Sequence, residues 1–324
     1  MDAPLVRLSG FDAGFFYSQT PEVHQHIHVV ALLDAERVGL RDGPREGHRG
    51  VLTFESFTAA VSSRLPLLPP LRHRTIRVPF ALHHPVILPV LEIDTAHHFR
   101  HHDLGGAGTA ENVRDLVSAI ASSALDEHHP LWEMHYTEGL ADGRVAVIVK
   151  LHHSLADGVA ISALLEHIIA TPAAFDPPQR LPEAVRVAPS RASLVREALR
   201  DLIIQLRIVP ALVLRTARGM SAASRYQRVH RATVPGPLGS TPRVSFNGRL
   251  TARREFATAS IPLARFRELR AQYQGQDDDV TLNDLVLGSV SGALRHWLEA
   301  HDEHPSKPLT VGIPISLDDL SLPR

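Results

Sequence analysis

Apolar residues along the chain fall into short runs, some with the two-residue period of a strand and others with the three-and-four spacing of a helix. Val23 to Leu33 alternates loosely and then runs apolar, which predicts a strand entering a covered sheet. Phe54 to Leu65 carries helical spacing, and the prolines at 66, 69 and 70 stop it. Val113 to Leu125 repeats the helical pattern through Leu116, Val117, Ile120 and Leu125. In RVAVIVKLHHSLADGVAISALLEHI, Val145, Val147, Val149 and Leu151 share one strand face, while Ile161, Leu164, Leu165 and Ile168 share one helix face. That segment predicts strand, tight turn, helix. Further on, the pattern predicts a strand over Arg254 to Pro262, helices over Leu263 to Tyr273 and Thr281 to His301, and a strand over Leu309 to Ile315. Strands and helices interleave throughout, so the fold class is α/β. No fixed period repeats, which excludes solenoids and propellers.

Two proline-rich stretches, Thr171 to Pro189 and Pro235 to Pro242, punctuate this order, and Arg41 to Gly50 reads as a charged, glycine-rich loop. Between the two stretches lies a basic amphipathic segment. Arg191 to Arg231 holds nine arginines against Glu197 and Asp201, a local net of +7, interleaved with Leu194, Leu199, Leu202, Ile203, Leu206, Ile208, Leu212, Val213 and Leu214. Such a segment can lie on the surface of an anionic membrane; the plainer reading is an interdomain helix whose arginines are solvated, because such stripes usually face a core. The expected organisation is an N-terminal lobe over 1–189, the basic helix and linker over 190–242, and a further lobe over 243–324. A chain of 324 residues fits two domains.

Composition narrows the function classes. There are no cysteines, which excludes a disulfide framework, a thiol nucleophile and Cys-ligated metal. The 34 basic residues against 35 acidic ones leave no field that would steer the chain to nucleic acid, so no nucleic-acid partner is expected. No apolar run approaches a membrane span and the first residues lack a secretory pattern, so a cytoplasmic location is expected. The 21 histidines recur as pairs at 83–84, 97–98, 101–102, 128–129 and 152–153, most of which are expected at the surface.

The pair His152 and His153 stands where the predicted strand meets its turn, a place where ligands of α/β sheets bind, and neutral imidazole can take a proton near neutral pH. If extended geometry ran into the turn, His153 would continue the valine face and His152 would point the other way, so the two cannot do the same job. Adjacent residues rarely converge on one ion and no third ligand stands at a helical offset, so no metal is expected there. Ser154 lacks the GxSxG elbow and reads as a turn residue. Asp157 stands where the next helix begins and suits an N-cap, with Gly158 in its permissive first turn.

HHSLADG at 152–158 fits the HHxxxDG motif of the acyltransferase superfamily that includes chloramphenicol acetyltransferase and peptide-synthetase condensation domains. With PLWEMHYTEGL at 130–140, FDAGFF at 11–16, HIHVVALL at 26–33, FNGRLTARREFA at 246–257 and LNDLVLGSVSGALRHWL at 282–298, nearly the whole chain resembles the bacterial wax ester synthase/diacylglycerol acyltransferase family. The resemblance implies a chloramphenicol-acetyltransferase-like two-lobe fold whose second lobe is incomplete. It implies an acyl-CoA-dependent O-acyltransfer to diacylglycerol or a long-chain alcohol, with His153 as the base and acyl-CoA as co-substrate rather than cofactor. Under it, His152 orients the turn through a hydrogen bond, with a plain packing role as the alternative, Asp157 holds it through an arginine partner, and Gly158 admits the pantetheine arm. Pro130, Leu131 and Trp132 match the family's PLW element beside the tunnel, although Trp132 reads equally as a core aromatic. Asn283 and Asp284 match its ND element, where a helix cap is the structural alternative.

After VGIPIS at 311–316 the likeness stops, and a C-terminal portion of the family pattern is absent. Two other readings therefore stand beside the acyltransferase. One is a superfamily relative with a carrier-protein donor or short-chain acceptor; the other is a weak or inactive lobe that binds lipid or needs a C-terminal lobe in trans. Attachment to a membrane or lipid-droplet surface is expected from the basic helix.

Overall fold

The computed structural model describes residues 5–35, 52–155, 188–230, 241–273 and 280–313, without side chains for 226–230. Arg41 to Gly50, the helix expected around Ile161 to Ile168, and most of both proline-rich stretches lie outside the described residues. The chain divides into two compact units, Met1–Pro210 with Leu250–Ala257, and Ala211–Arg249 with Thr258–Arg324.

The first unit is built on β1 (His26–Asp34), β4 (Phe99–Gly108), β5 (Trp132–Leu140) and β6 (Arg144–His152), in the order β1-β6-β5-β4. A two-stranded sheet pairs β2 (His73–Ile76) with β3 (Val86–Pro89). β6 is antiparallel to both neighbours, and its pairing with β1 runs from His26 opposite His152 to Asp34 opposite Arg144. β5 turns into β6 through Gly143, whose φ of +73° is a conformation that L side chains rarely adopt. β4 runs parallel to β5, which requires a crossover, and α4 (Ala110–Ala121) supplies it. Gly139 is obligatory where that register slips: a Cβ there would lie 2.6 Å from the Asp103 carboxylate and 2.7 Å from the Gly105 nitrogen.

β6 is buried on both faces, which explains its near-continuous apolar sequence. Val145, Val147, Val149 and Leu151 pack with Phe57 and Val61 of α2 (Phe54–Arg64) and with Trp132, Met134 and Tyr136. Ala146 and Ile148 pack on the other side with Val113, Val117 and Ile120 of α4. Each of the valines, leucines, isoleucines and phenylalanines among them contributes on the order of 1.5–3 kcal/mol by leaving water. The polar ends of the large aromatics are satisfied: Trp132 Nε1–H donates to the Leu71 carbonyl at 2.7 Å and Tyr136 O–H to the Leu52 carbonyl at 2.6 Å. α2 and α4 begin at capping boxes, Thr53 with Ser56 and Thr109 with Asn112.

α5 (Arg191–His230) is the expected basic helix as one 40-residue element with Pro210 inside it. The second unit also holds α6 (Leu263–Gln272) and α7 (Leu282–Ala300). The strand expected over 254–262 is not formed. Instead, Arg254 N–H donates to Ser122 Oγ and Phe256 N–H to Ser118 Oγ, so α4 hydroxyls take the bonds a ladder would have made. Residues 309–313 are likewise not a strand, and the rest of that expected element lies outside the described residues.

Candidate functional site

β6 ends at His152, and the chain turns at His153 and Ser154. His152 is enclosed and fully engaged. Its Nδ1 accepts from the Ser154 backbone N–H at 3.1 Å and lies 2.7 Å from Ser154 Oγ, while its Nε2 lies 3.0 Å from Gln19 Oε1. A backbone N–H can only donate, so Nδ1 is the acceptor and the neutral ring carries its proton on Nε2, which donates to Gln19. The same conclusion follows from the amide, because Gln19 Nε2 donates to Glu127 Oε1 at 3.4 Å and so turns Oε1 toward the imidazole. Burial pushes the His152 pKa down to about 4, with Arg77 and His153 adding to the effect and Glu127 opposing it. This ring is neutral at physiological pH with both nitrogens occupied.

His153 has different surroundings. It is half-buried, its backbone N–H donates to the Gln25 carbonyl at 2.8 Å, and its ring stacks on Phe15 with centroids 3.8 Å apart. Its Nδ1 is buried with no hydrogen-bond partner among the described residues. α1 (Gly10–Ser18) thus serves both histidines: Phe15 lies against His153, Phe16 lies 4.4 Å from His152, and the helix ends at Gln19. A bidentate Arg77–Glu127 pair, at 2.7 and 2.6 Å, fixes the carboxylate that orients Gln19.

The PLW residues support this turn from below. The Leu131 carbonyl accepts the His152 N–H at 2.9 Å, and Leu131 packs with Leu8, Ala13, Phe16 and Leu125. Pro130 is buried, and Trp132 is wholly enclosed, opposite Leu151 and stacked 4.1 Å from His98. Asp157 and Gly158 lie outside the described residues. Asn283 and Asp284 stand in the second unit at the start of α7, where the Asp284 carboxylate accepts from Thr281 N–H at 2.8 Å and Oγ at 2.6 Å. That bonding holds the Asp284 carboxyl below its usual range.

Among the paired histidines, most of them expected at the surface, His98 joins His152 in being buried. His98 is buried, donates from Nδ1 to the Trp132 carbonyl at 2.7 Å, and is pushed down to about 4 by burial. Burial also lowers His26 to about 2 and His28 to about 4, with Lys150 contributing. Lys150 itself is wholly enclosed, donating to Ser123 Oγ at 2.8 Å and lying 3.7 Å from Glu133 Oε2, which in turn meets His135 Nε2 at 3.3 Å. Sequence reasoning missed this polar network, as it missed Gln19, Arg77 and Glu127. Only FDAGFF, among the fragments of family likeness, signalled the helix that frames the pair.

A family model described as the wax ester synthase/diacylglycerol acyltransferase catalytic domain matches residues 8–286. The candidate diacylglycerol O-acyltransferase Rv0221 of Mycobacterium tuberculosis is 33% identical over 314 residues, which cover 97% of this chain and 63% of the relative. A second relative named in the same way in that organism, Rv0895, is 31% identical over 331 residues, covering 99% and 60% respectively. The solved wax ester synthase/diacylglycerol acyltransferase from Marinobacter aquaeolei VT8 shares the fold at a TM-score of 0.57 and 23% identity, over 94% of this chain and 63% of that one. The chain therefore spans less than two thirds of the length of these relatives.

Proposed function

This chain belongs to the wax ester synthase/diacylglycerol acyltransferase family, and we propose that it carries the base for acyl transfer from a long-chain acyl-CoA to the hydroxyl of diacylglycerol or a long-chain alcohol. His153 takes the hydroxyl proton as the oxygen attacks the thioester carbonyl. The C–S bond then breaks, and the coenzyme A thiolate leaves and receives the proton back from the imidazolium. The thiolate is a good leaving group, so no covalent enzyme intermediate is needed and a cysteine-free chain suffices.

The observation that carries this reading is the unequal state of the two imidazoles. His152 has spent both nitrogens on Ser154 and Gln19, while among the described residues the His153 ring stacks on Phe15 and its Nδ1 has no hydrogen-bond partner. His152 is then a positioning residue, and so are Leu131 and Pro130 through the backbone they hold. Asp157 would fix the turn beyond Leu155, and Gly158 would let the pantetheine arm approach. Asn283 and Asp284 remain assigned to substrate binding on family likeness.

An assay with palmitoyl-CoA and either diacylglycerol or hexadecanol tests the proposal. His153→Ala should lower turnover by about 10² to 10⁴ fold with the circular dichroism spectrum unchanged. Near-normal turnover in that variant would remove the assignment. A second reading, a lobe that holds lipid but turns over feebly without a C-terminal partner, is favoured by the small core of the second unit, where Val244 and Leu298 are the buried apolar residues among those described. Acyl-CoA binding without turnover, reversed by supplying the remaining family length, would select it.

A further inference from the structure

Apart from the β6 histidine pair, a second group of ligand-type side chains converges in the first unit. His97 stands in α3 (Thr95–His98), and Asp126 and His129 stand in the turn leading into β5. One ligand atom from each lies within 4.8 Å of the other two. The His97 and His129 rings lie 3.7 Å apart and nearly parallel, and His129 Nε2 is 3.9 Å from Asp126 Oδ2. Asp126 Oδ1 is already occupied, accepting the His128 N–H at 2.8 Å and meeting His128 Nδ1 at 2.8 Å, which leaves Oδ2 turned toward His129. Among the described residues neither His97 nor His129 has a hydrogen-bond partner for its ring nitrogens.

We propose that His97, Asp126 and His129 form a binding site for a divalent cation of the zinc class, clamping α3 to the entry of β5. Two imidazoles and one carboxylate are a donor set suited to zinc, cobalt or nickel rather than to calcium or magnesium, which take oxygen ligands. Metal–ligand bonds of about 2.0–2.2 Å place tetrahedral ligands about 3.3 Å apart, so the group must close by at most about 1.5 Å. The two rings are stacked with their lone pairs in nearly parallel planes, so one half-buried imidazole must also turn out of the stack toward the exposed Asp126 for both to share an ion. Three protein ligands leave a fourth position for water. His128 plays the outer part, holding the carboxylate in the orientation that presents Oδ2. The site owes nothing to the acyl-transfer reading, because none of its ligands belongs to the HHSLADG turn.

The chelator-treated chain, titrated calorimetrically with Zn²⁺ and spectroscopically with Co²⁺, should bind one equivalent saturably and melt at a higher temperature when loaded. Asp126→Asn keeps an acceptor for the His128 N–H and should weaken binding at least about tenfold without altering the fold. The double variant His97→Gln/His129→Gln should abolish the one-equivalent step. Exposed His296 and His304 in the second unit serve as controls, and their replacement by Gln should leave it intact. Absence of saturable binding up to millimolar Zn²⁺, or wild-type affinity in both Asp126→Asn and the double variant, would overturn the proposal.

Discussion

Gln19 separates the roles of two adjacent imidazoles, because its amide, set by Glu127, gives His152 a fixed acceptor on Nε2. Removing it with Gln19→Ala should let His152 swing and shift the turn, lowering kcat by about 10- to 100-fold while leaving KM for acyl-CoA nearly unchanged. A variant with full kcat would show that the amide does not hold the turn. The sequence said only that the two neighbouring histidines would face opposite ways if extended geometry ran into the turn; the chain instead turns at His153, and both rings lie against α1. Gln19 was not legible in the sequence, because its partner lies 133 positions away and an amide at a helix end looks like any other polar cap. The buried rings carry a second consequence. His98 and His152, both enclosed, are each held at about 4 by burial against an ordinary 6.5. Between those values the unfolded chain binds protons that the folded chain refuses, so the stabilisation is complete above pH 6.5 and lost as pH falls toward 4. The loss is on the order of 1 kcal/mol per pH unit for each ring. Urea unfolding of the full chain at pH 7.5, 6.0 and 5.0 should show the midpoint falling steadily, and a flat midpoint would mean these rings titrate normally.

At the scale of elements, helices were read well and isolated strands poorly. A helix satisfies its own backbone, so spacing and caps suffice: α2, α4, α6 and α7 begin and end within a few residues of their expected limits. A strand needs an edge to pair with, and the apolar pattern over 254–262 contains no statement of one; the serines of α4 took its N–H groups instead. α5 shows the same limit for helices, since its existence was legible and the cover for its apolar row was not. Its first turns are docked, with Leu194 and Ala198 against Val78, Val86 and Leu88, and Arg7 3.3 Å from Asp201. Beyond them Leu202, Ile203, Leu206, Ile208, Leu212, Val213 and Leu214 are all exposed, alongside arginines at 207, 215 and 218. No helix among the described residues is long and apolar enough to cross a membrane. Exposed apolar side chains beside arginines are the composition from which we propose attachment to an anionic surface. Liposome sedimentation should therefore show binding to anionic vesicles that falls when Arg207, Arg215 and Arg218 are replaced by Gln. Equal binding to neutral vesicles, or no change in the triple variant, would leave α5 as a packing element only.

On the scale of the whole molecule, the two units differ in how much they bury. The first has four apolar clusters around a mixed sheet, and residues of two of them pack about the strands and helix that flank the histidine turn. In the second, Leu263, Leu269, Leu282, Val286, Val290 and Trp297 of its helices are all exposed. Amphipathic helices of 10 and 19 residues gain most of their stability from packing such faces, so a unit that leaves them in water sits near the margin. Hydrogen exchange should then find α7 amides exchanging orders of magnitude faster than those of β5 and β6, because the local opening free energy of α7 is small. Adding the polypeptide that corresponds to the part of the relatives' length beyond the 60–63% matched here, in trans or by fusion, should slow exchange in α7 while leaving β6 unchanged. If acyl transfer depends on that cover, turnover should rise in the same titration. Protection of α7 equal to that of β6 in the chain alone, with full turnover and no added polypeptide, would show that the exposed faces need no partner.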